Sequence, residues 1–394
     1  MLSPGREELA QVVRALHEEG TPWLPAGRGS RLSWGARLSR PHRVLSVAAL
    51  DRILEHNPGD FTITVEAGAA LEAVQAALAA EGQWLALDPP WGDGPLGAGS
   101  IGGLVARGMA GGYRHRYLGV RDQIIGIGLL RSDGVAARAG GKVVKNVAGY
   151  DLMRLFCGSW GSLGLITEVT LRTLPLPPQR LGLVVQGPLA ELTCLARWLL
   201  GSSLSPERID WWSADLAAAA GLDAEPLLLI GLASVQATTL DEQIICIAGH
   251  TDRAARRLDP TELERLQAVA RGGVAGLPEE GWLLRVGVAP DRVDRLLAAP
   301  SWGNLRGSIA AGSGLGLAWS QAGPTAAAAA IHGLRGLCRE LGGHLTVLRQ
   351  HQGSSLPAWE DAPSRPLIEA VKRQFDPLNQ LAPGRLPGVA SPLG

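Results

Sequence analysis

The amino-acid sequence predicts an α+β protein of two domains, and three observations carry that reading. Through the first 175 residues short apolar strands alternate with short amphipathic helices, which calls for a layered sheet-and-helix domain rather than a helical bundle or a sandwich. A proline cluster at Pro175, Pro177 and Pro178 then interrupts the chain, and a second, separate set of strand-like and helix-like segments follows. The length agrees, since 394 residues at about 150 per domain make two or three domains whose cores need no disulfide staples.

The elements follow in order. Ser3 can cap a helix opened by Pro4, with Leu9, Val12, Val13 and Leu16 on one face and Gly20 as its stop. A strand at 22–24 runs into a tight glycine turn, Pro25, Ala26, Gly27, Arg28, Gly29 and Ser30, where missing side chains let consecutive amides converge as an anion nest. Residues 44–47 read as a strand, 49–54 as a short helix, and 61–66 alternate like a half-buried strand. A helix at 71–80 ends at Gly82, and a strand at 84–87 closes at Asp88-Pro89-Pro90. Between Trp91 and Gly112 glycine recurs every few residues, too much backbone freedom for a regular element unless a ligand fixes the chain. Strands at 122–130 and 135–138 flank the hairpin-type turn Ser132-Asp133-Gly134, and 163–174 is the last strand before the prolines. Beyond them the pattern predicts a helix at 190–200, a strand at 227–234, an amphipathic stretch at 252–270 interrupted by Pro260, a strand at 282–288, an alanine-rich helix at 324–341 and a strand at 344–348.

Composition removes whole function classes. The 37 basic and 37 acidic side chains cancel, leaving no field to draw the chain to nucleic acid or an acidic membrane. Cys157, Cys194, Cys246 and Cys338 are too widely spaced for a metal clip or an iron–sulfur site within this chain, so no metal is expected and a reducing, cytoplasmic setting fits. The first residues lack a secretion signal, and no apolar run approaches the roughly 20 residues of a transmembrane span; any membrane association is expected through partners.

The rare residues cluster. The chain has three lysines against 34 arginines, and only three tyrosines. Tyr113, Tyr117, Tyr150, Lys142, Lys145 and Asn146 all fall between positions 113 and 150, which marks this stretch as a candidate site where a compact ammonium or a phenol is needed. Gly97-Ala-Gly-Ser-Ile-Gly102 satisfies the spacing of a dinucleotide fingerprint, but it follows Asp-Pro-Pro-Trp-Gly-Asp-Gly-Pro rather than a buried strand, so a nicotinamide-binding Rossmann fold is not expected. Walker A, G-x-S-x-G and His-Glu-x-x-His motifs are absent, which takes away the signatures of a P-loop nucleotide site and two hydrolase classes. What remains is the turn at 25–30, a second glycine turn at 97–103, and Gly158-Ser-Trp-Gly-Ser-Leu-Gly-Leu-Ile-Thr167, several backbone cradles suited to a long ligand carrying a diphosphate.

The run Gly140-Gly-Lys-Val-Val-Lys-Asn-Val-Ala-Gly-Tyr-Asp-Leu152, followed by 158–167 and Glu168-Val-Thr-Leu171, resembles the flavin-binding signature of the vanillyl-alcohol-oxidase, PCMH-type FAD-binding family. Within that family it is similar to the smaller FAD-binding subunits of bacterial glycolate oxidases. Residues 22–30, 61–68, 87–122 and 140–175 match in order, and the run from Lys372 to Arg385 is similar to the segment with which many such flavoproteins end.

The resemblance implies a two-subdomain FAD-binding domain over 1–177, a smaller α+β cap over 178–370, and a tail at 371–394 that returns to the first domain. It implies that Pro25, Ala26, Gly27, Arg28, Gly29 and Ser30 hold the FAD diphosphate, and that Gly99, Ser100, Ile101, Gly102 and Gly103 with Ser159, Gly161, Gly164 and Ile166 line the rest of the cofactor, with Lys145 and Tyr150 near its ring. Two departures stand out: the family usually has glycine at Arg28, and Trp160 replaces an acid common in relatives. With no histidine at 25–30 and no cysteine between 85 and 122, FAD is expected to be non-covalent; His115 is nearest to a linking candidate and reads as a surface residue. The second-domain histidine motif of related 2-hydroxy-acid dehydrogenases is missing, and His332, His344 and His351 read as structural or exposed, so no catalytic base is assigned. The function implied is an FAD-dependent oxidoreductase acting on CH–OH groups, the FAD-binding subunit of a glycolate oxidase complex with a larger flavin subunit and an iron–sulfur subunit as partners and a small 2-hydroxy acid as substrate. A self-sufficient FAD-dependent 2-hydroxy-acid dehydrogenase and a non-catalytic flavoprotein scaffold are the alternatives.

Overall fold

A computed structural model of the chain describes residues 1–93, 97, 99–142, 151–275, 277–278, 281–320, 328–350, 354 and 356–390. They form two compact units, one comprising Met1–Met109, Gly119–Leu176 and Pro357–Gly394, the other Ala110–Leu118 and Pro177–Leu356. Both units mix helices with antiparallel sheet, the α+β class that the alternating pattern predicts.

In the first unit an antiparallel five-stranded sheet runs Ile53–Asn57, Thr62–Glu66, Leu165–Arg172, Ile124–Leu130, Ala136–Gly140. Ile63, Val65, Ile127, Leu129, Val169 and Leu171 give it an apolar face, covered by Leu9, Val13 and Leu16 of helix Arg6–Glu18 and Val74 and Leu78 of helix Leu71–Ala79 in one core. A separate parallel pair, Trp23–Ala26 with Arg43–Ser46, brings the chain to the glycine turn at 25–30.

The final segment is tied to this unit by a buried cation. Lys372 Nζ, on helix Arg365–Phe375, donates to Ser162 O at 2.7 Å, Leu381 O at 2.8 Å and Asp376 Oδ2 at 2.5 Å, so its three N–H bonds are all used. Asp376 in turn accepts the amides of Gln380 at 3.0 Å and Leu381 at 2.8 Å. Burial pushes the Lys372 ammonium below its ordinary value, and the Asp376 charge opposes that shift. Removing one partner of such a pair costs about 3–5 kcal/mol, because the other charge stays buried.

The first helix starts at Arg6 behind Gly5 rather than behind Ser3, the strand read at 84–87 is confined to Gln83–Trp84, and three further elements differ. Residues 49–54 form no helix: Ile53–Asn57 is the edge strand beside Thr62–Glu66, where a β-branched residue gains cross-strand pairing that a one-turn helix cannot offer. Within the glycine-rich stretch lies a helix, Ile101–Arg107, capped by Ser100, which accepts the Gly103 amide at 3.2 Å, and closed by Gly108 in the left-handed region. Its glycines serve close packing rather than freedom, since a Cβ on Gly102 would come within 2.6 Å of Ala67 Cβ. Pro260 interrupts nothing: it opens helix Pro260–Gly272 behind the Asp259 cap, after a short strand at Ala255–Leu258.

In the second unit eight antiparallel strands run in the order Ala255–Leu258, Gln179–Gln186, Leu227–Ser234, Arg208–Trp212, Arg306–Ala310, Leu315–Trp319, Leu283–Gly287, His344–Arg349. Helices Leu189–Gly201, Ala237–Ala248 and Ala328–Glu340 contribute to its core, where Trp211 is buried. Residues 110–118 group with this unit although they lie inside the stretch read as the first domain, and the segment grouping with the first unit starts at Pro357 rather than 371. Tyr113 donates to Gln267 Oε1 at 3.2 Å and Tyr117 to Glu207 Oε2 at 3.3 Å, so the two described tyrosines of the 113–150 cluster anchor this excursion. No helix among the described residues is long and apolar enough to cross a membrane.

Glu66 ties the first helix to the sheet. It is 1 % exposed and accepts Arg6 at 2.6 Å, the Arg52 guanidinium at 3.1 Å and the Arg52 amide at 3.0 Å. Burial alone would raise this carboxyl, but the hydrogen bonds from Arg52 and Arg6 outweigh it and hold it at about 2 against an ordinary 4.5. A depressed carboxyl contributes stability in full above its unfolded value and loses it as pH falls. The Glu66 contribution should therefore disappear between pH 4.5 and about 2. In thermal melts across that range Glu66→Gln should melt lower than the wild type at neutral pH, with the gap closing toward pH 2; a constant gap would show that the carboxylate charge is not what Arg6 and Arg52 read.

Candidate functional site

The glycine turn at the end of Trp23–Ala26 is fixed from two sides. Ser46 Oγ, on the paired strand, donates to Gly27 O at 2.9 Å. On the other side Gly27 lies so close to the cap of helix Ile101–Arg107 that a Cβ there would overlap the Ser100 hydroxyl and stand 3.0 Å from Ser100 Cβ. Gly29 takes φ +79°, in the region that favours glycine, while a Cβ on it would meet only Leu32 at 3.7 Å. The turn is therefore bare main chain by necessity at Gly27 and by backbone conformation at Gly29.

These two turns share one cleft of the first unit. Pro25, Ala26, Gly27, Arg28, Gly29 and Ser30 line it together with Ser100, Gly102 and Gly103, and Gly161, Gly164 and Ile166 line it from the third glycine segment. Three other residues singled out from the sequence do not line it. Ile101 is fully buried in the core, Ser159 turns its hydroxyl to Phe156 O at 2.8 Å, and Gly99 sits at φ +79° beside Ser30 and Arg31. Lys145 and Tyr150 lie outside the described residues. His115 is half-buried in the second unit against Gly312, and burial lowers its pKa despite the Asp210 charge.

Arg28 turns its guanidinium aside. Its Nε donates to Gly68 O at 2.9 Å and its Nη2 lies 3.8 Å from Asp51. Trp160 takes φ +57°, a left-handed conformation that costs a bulky residue roughly 1–2 kcal/mol, and its amide donates to Ala106 O at 2.8 Å. Its indole is packed edge-to-face on Trp359 at 5.6 Å and fills the space that a side chain at Gly35 would need.

Sequence reasoning did not mark Arg31 and Arg107, which also line the cleft. Arg31 donates to Ser30 Oγ at 3.0 Å and to the carbonyls of Pro90 and Gly97. Arg107 closes its helix and donates to Arg31 O at 2.7 Å. Nearby, Arg385 from the final segment donates to Ala36 O and Leu32 O, each at 2.7 Å. Burial lowers Arg31 and Arg385 to about 10, and Arg107 falls well below its ordinary value through burial and then through the charges of Arg385 and Arg31. The only signal in the sequence was position: Arg31 follows the turn directly and Arg107 ends a helix that the glycines concealed.

Among the described cleft residues the titratable side chains are Arg28, Arg31 and Arg107, with no carboxylate and no histidine. The arrangement offers bare amides and fixed positive charge, the chemistry for holding a polyanion, and no group that takes up a proton. It fits a dinucleotide such as FAD: the cradle at Gly27 and Gly29 admits main-chain approach, and Gly102, Gly103, Gly161 and Gly164 extend side-chain-free wall along the cleft.

Comparison with known proteins agrees. Residues 5–140 match the family FAD_binding_4, described as FAD binding domain. The chain is 37% identical over 196 residues to glycolate oxidase subunit GlcE of Escherichia coli (strain K12), covering 49% of this chain and 53% of that protein. It is 37% identical over 173 residues to D-2-hydroxyglutarate dehydrogenase of Xanthomonas citri pv. viticola, covering 44% of this chain and 36% of that one. The chain thus spans about half or less of the length of these curated relatives. In fold it is similar to alkyldihydroxyacetonephosphate synthase, with a TM-score of 0.69 at 16% identity over 98% of this chain and 77% of the other. The resemblance stated on the glycine segments holds to this extent: residues 5–140 match an FAD binding domain, and about half of the chain is similar to a glycolate oxidase subunit.

Gly27→Ala should destabilise the fold by about 1–3 kcal/mol through overpacking on Ser100. Ser100→Gly alone should cost only a few tenths, because glycine is a tolerated helix cap. The double variant should recover more than about 1 kcal/mol in denaturant unfolding, and a coupling below about 0.5 kcal/mol would mean that the turns do not meet.

Proposed function

We propose that this chain is the FAD-carrying subunit of a glycolate oxidase, or glycolate dehydrogenase, complex that oxidises a small 2-hydroxy acid, glycolate to glyoxylate, with a non-covalently held flavin. The observation that carries the reading is the shared cleft: two glycine turns more than 60 residues apart in sequence meet at Gly27 and Ser100, lined by cations and free of carboxylates. The similarity to a glycolate oxidase subunit supports the substrate class.

In this reading the amides of the turn at 25–30 donate to the diphosphate, while Arg28 stays on Gly68 and Asp51 and leaves the main chain clear. Gly161 and Gly164 let the cofactor lie against backbone. Bound there, FAD supplies the two-electron acceptor for the hydride that leaves the hydroxyl-bearing carbon. No described cleft residue is a nucleophile suited to a flavin link, which favours dissociable cofactor. None is a proton acceptor either, so the base that takes the substrate hydroxyl proton stands outside this cleft. A larger flavin subunit and an iron–sulfur subunit are the expected partners, since the four widely spaced cysteines provide no cluster for onward electron transfer. The setting proposed is cytoplasmic, with membrane association through those partners.

Expressed alone, the chain should purify yellow, release its flavin on acid precipitation, and stay yellow under anaerobic glycolate until the partner subunits are added. Bleaching by glycolate without partners would instead establish a self-sufficient dehydrogenase, and colourless folded protein a scaffold. Gly29→Val should lose FAD at least tenfold while remaining folded, because φ +79° strains valine and its side chain takes cleft space. Full flavin occupancy in that variant would move the diphosphate away from this turn.

A further inference from the structure

Arg107 sits where its charge has no neutralising partner. It ends helix Ile101–Arg107 and lines the cleft. Its hydrogen bonds run to main-chain oxygens, Arg31 O at 2.7 Å and Trp34 O at 3.4 Å, and among the described residues no carboxylate pairs with it. Two of its five N–H bonds are thus used. The guanidinium carbon lies 4.0 Å from the centroid of the Trp160 ring. The nearest charges are cationic: Arg31 and Arg385 both lower its proton affinity. Arg385 is 4 % exposed and keeps one buried nitrogen, Nη1, without a hydrogen-bond partner.

The platform under Arg107 is built at a cost. Trp160 is held at φ +57°, and Gly35, at φ +85°, clears the space its ring occupies, since a Cβ there would meet Trp160 Cε3 at 2.9 Å. The Trp160 amide is fixed on Ala106 O, the residue next to Arg107. An indole face holds a planar guanidinium through its quadrupole without cancelling the charge, and a flat guanidinium presents its remaining N–H groups at the edge. A staple for the loop at 31–34 would need only the carbonyl contacts. It would not need a recessed cation set beside two others and left without a counter-ion, an arrangement that is unfavourable until an anion enters.

We propose that Arg107, laid on the Trp160 indole, is a diphosphate-binding residue of this cleft, so that the ligand is recognised by charge as well as by bare main chain. The inference rests on the dinucleotide reading of the cleft and adds a specific side chain to it. The fork edge of Arg107 donates to phosphate oxygens, while Arg31 and Arg385 keep the surrounding potential positive. Because the pair is internal to the first unit, the effect belongs to ligand binding rather than to turnover.

The test uses the full-length chain freed of flavin. FAD affinity is read from flavin fluorescence, inorganic pyrophosphate is used as a competitor, and both are measured at several salt concentrations for wild type, Arg107→Met, Arg107→Lys and Trp160→Leu. Arg107→Met should weaken FAD about 10- to 100-fold, the loss of one or two charge-assisted hydrogen bonds, and should abolish competition by pyrophosphate. Its dependence on salt should be shallower, and without ligand it should melt at or above the wild-type temperature because a repelling cation has gone. Arg107→Lys should recover part of the affinity, and Trp160→Leu should lose affinity although the charge remains. Two results overturn the proposal: Arg107→Met binding FAD like wild type, or weakened FAD binding with pyrophosphate competition intact and a lower melting temperature, which is the signature of a loop staple. Wild-type chain that binds neither FAD nor pyrophosphate overturns the cofactor reading itself, a different outcome from either.

Discussion

The first unit depends on a place where no side chain fits. Gly27 and the cap of helix Ile101–Arg107 approach until a single added carbon would overlap the Ser100 hydroxyl. That contact joins a turn delivered by the parallel pair Trp23–Ala26 and Arg43–Ser46 to a helix packed by Gly102 on Ala67, at the end of Thr62–Glu66. Each neighbour is positioned by its own element, and only main chain fills what is left between them. A cleft walled by amides is what remains when strands and a capped helix converge without side chains.

Around this junction the unit treats buried charge in two ways. Behind the cleft, Lys372 is fully satisfied by Asp376 and the carbonyls of Ser162 and Leu381, so its burial locks the third glycine segment to the final segment of the chain. Arg385 of the same segment holds Leu32 O and Ala36 O just beyond the turn. The final segment therefore holds both the third glycine segment and the chain that follows the first turn. In and beside the cleft Arg31, Arg107 and Arg385 donate to backbone carbonyls, and burial lowers the proton affinity of each.

What was legible in the sequence follows from range. Alternating apolar runs such as Thr62–Glu66 and Leu165–Arg172 declare themselves locally, and so do glycine turns, because both reflect short-range stereochemistry. Of the seventeen residues expected to contact the cofactor, twelve line this cleft. The helix at Ile101–Arg107 was hidden because its glycines answer to Ala67, a neighbour more than thirty residues away, and not to helix propensity. Strand Arg208–Trp212 with its adjacent tryptophans, and the hairpin Arg306–Ala310 with Leu315–Trp319, gain their order from the eight-stranded sheet around them. Of the tyrosine cluster, Tyr113 and Tyr117 group with the second unit, where they donate to Gln267 and Glu207, while Tyr150 lies outside the described residues.

The indole of Trp160 takes its meaning from Arg107, which lies over its ring. A carboxylate at that position would pair with the guanidinium of Arg107, 4.0 Å from the present ring, and turn a recessed cation into an internal ion pair with nothing left to offer. An indole holds the same guanidinium flat, excludes water from one face, and leaves the charge uncancelled. Keeping the indole there requires a left-handed backbone at Trp160 and a glycine at position 35, two constraints that a small acidic side chain would not impose in the same way. The backbone strain at Trp160 and the unpaired charge of Arg107 are then one feature seen twice: the fold accepts an unfavourable turn so that a cation can be buried without being neutralised.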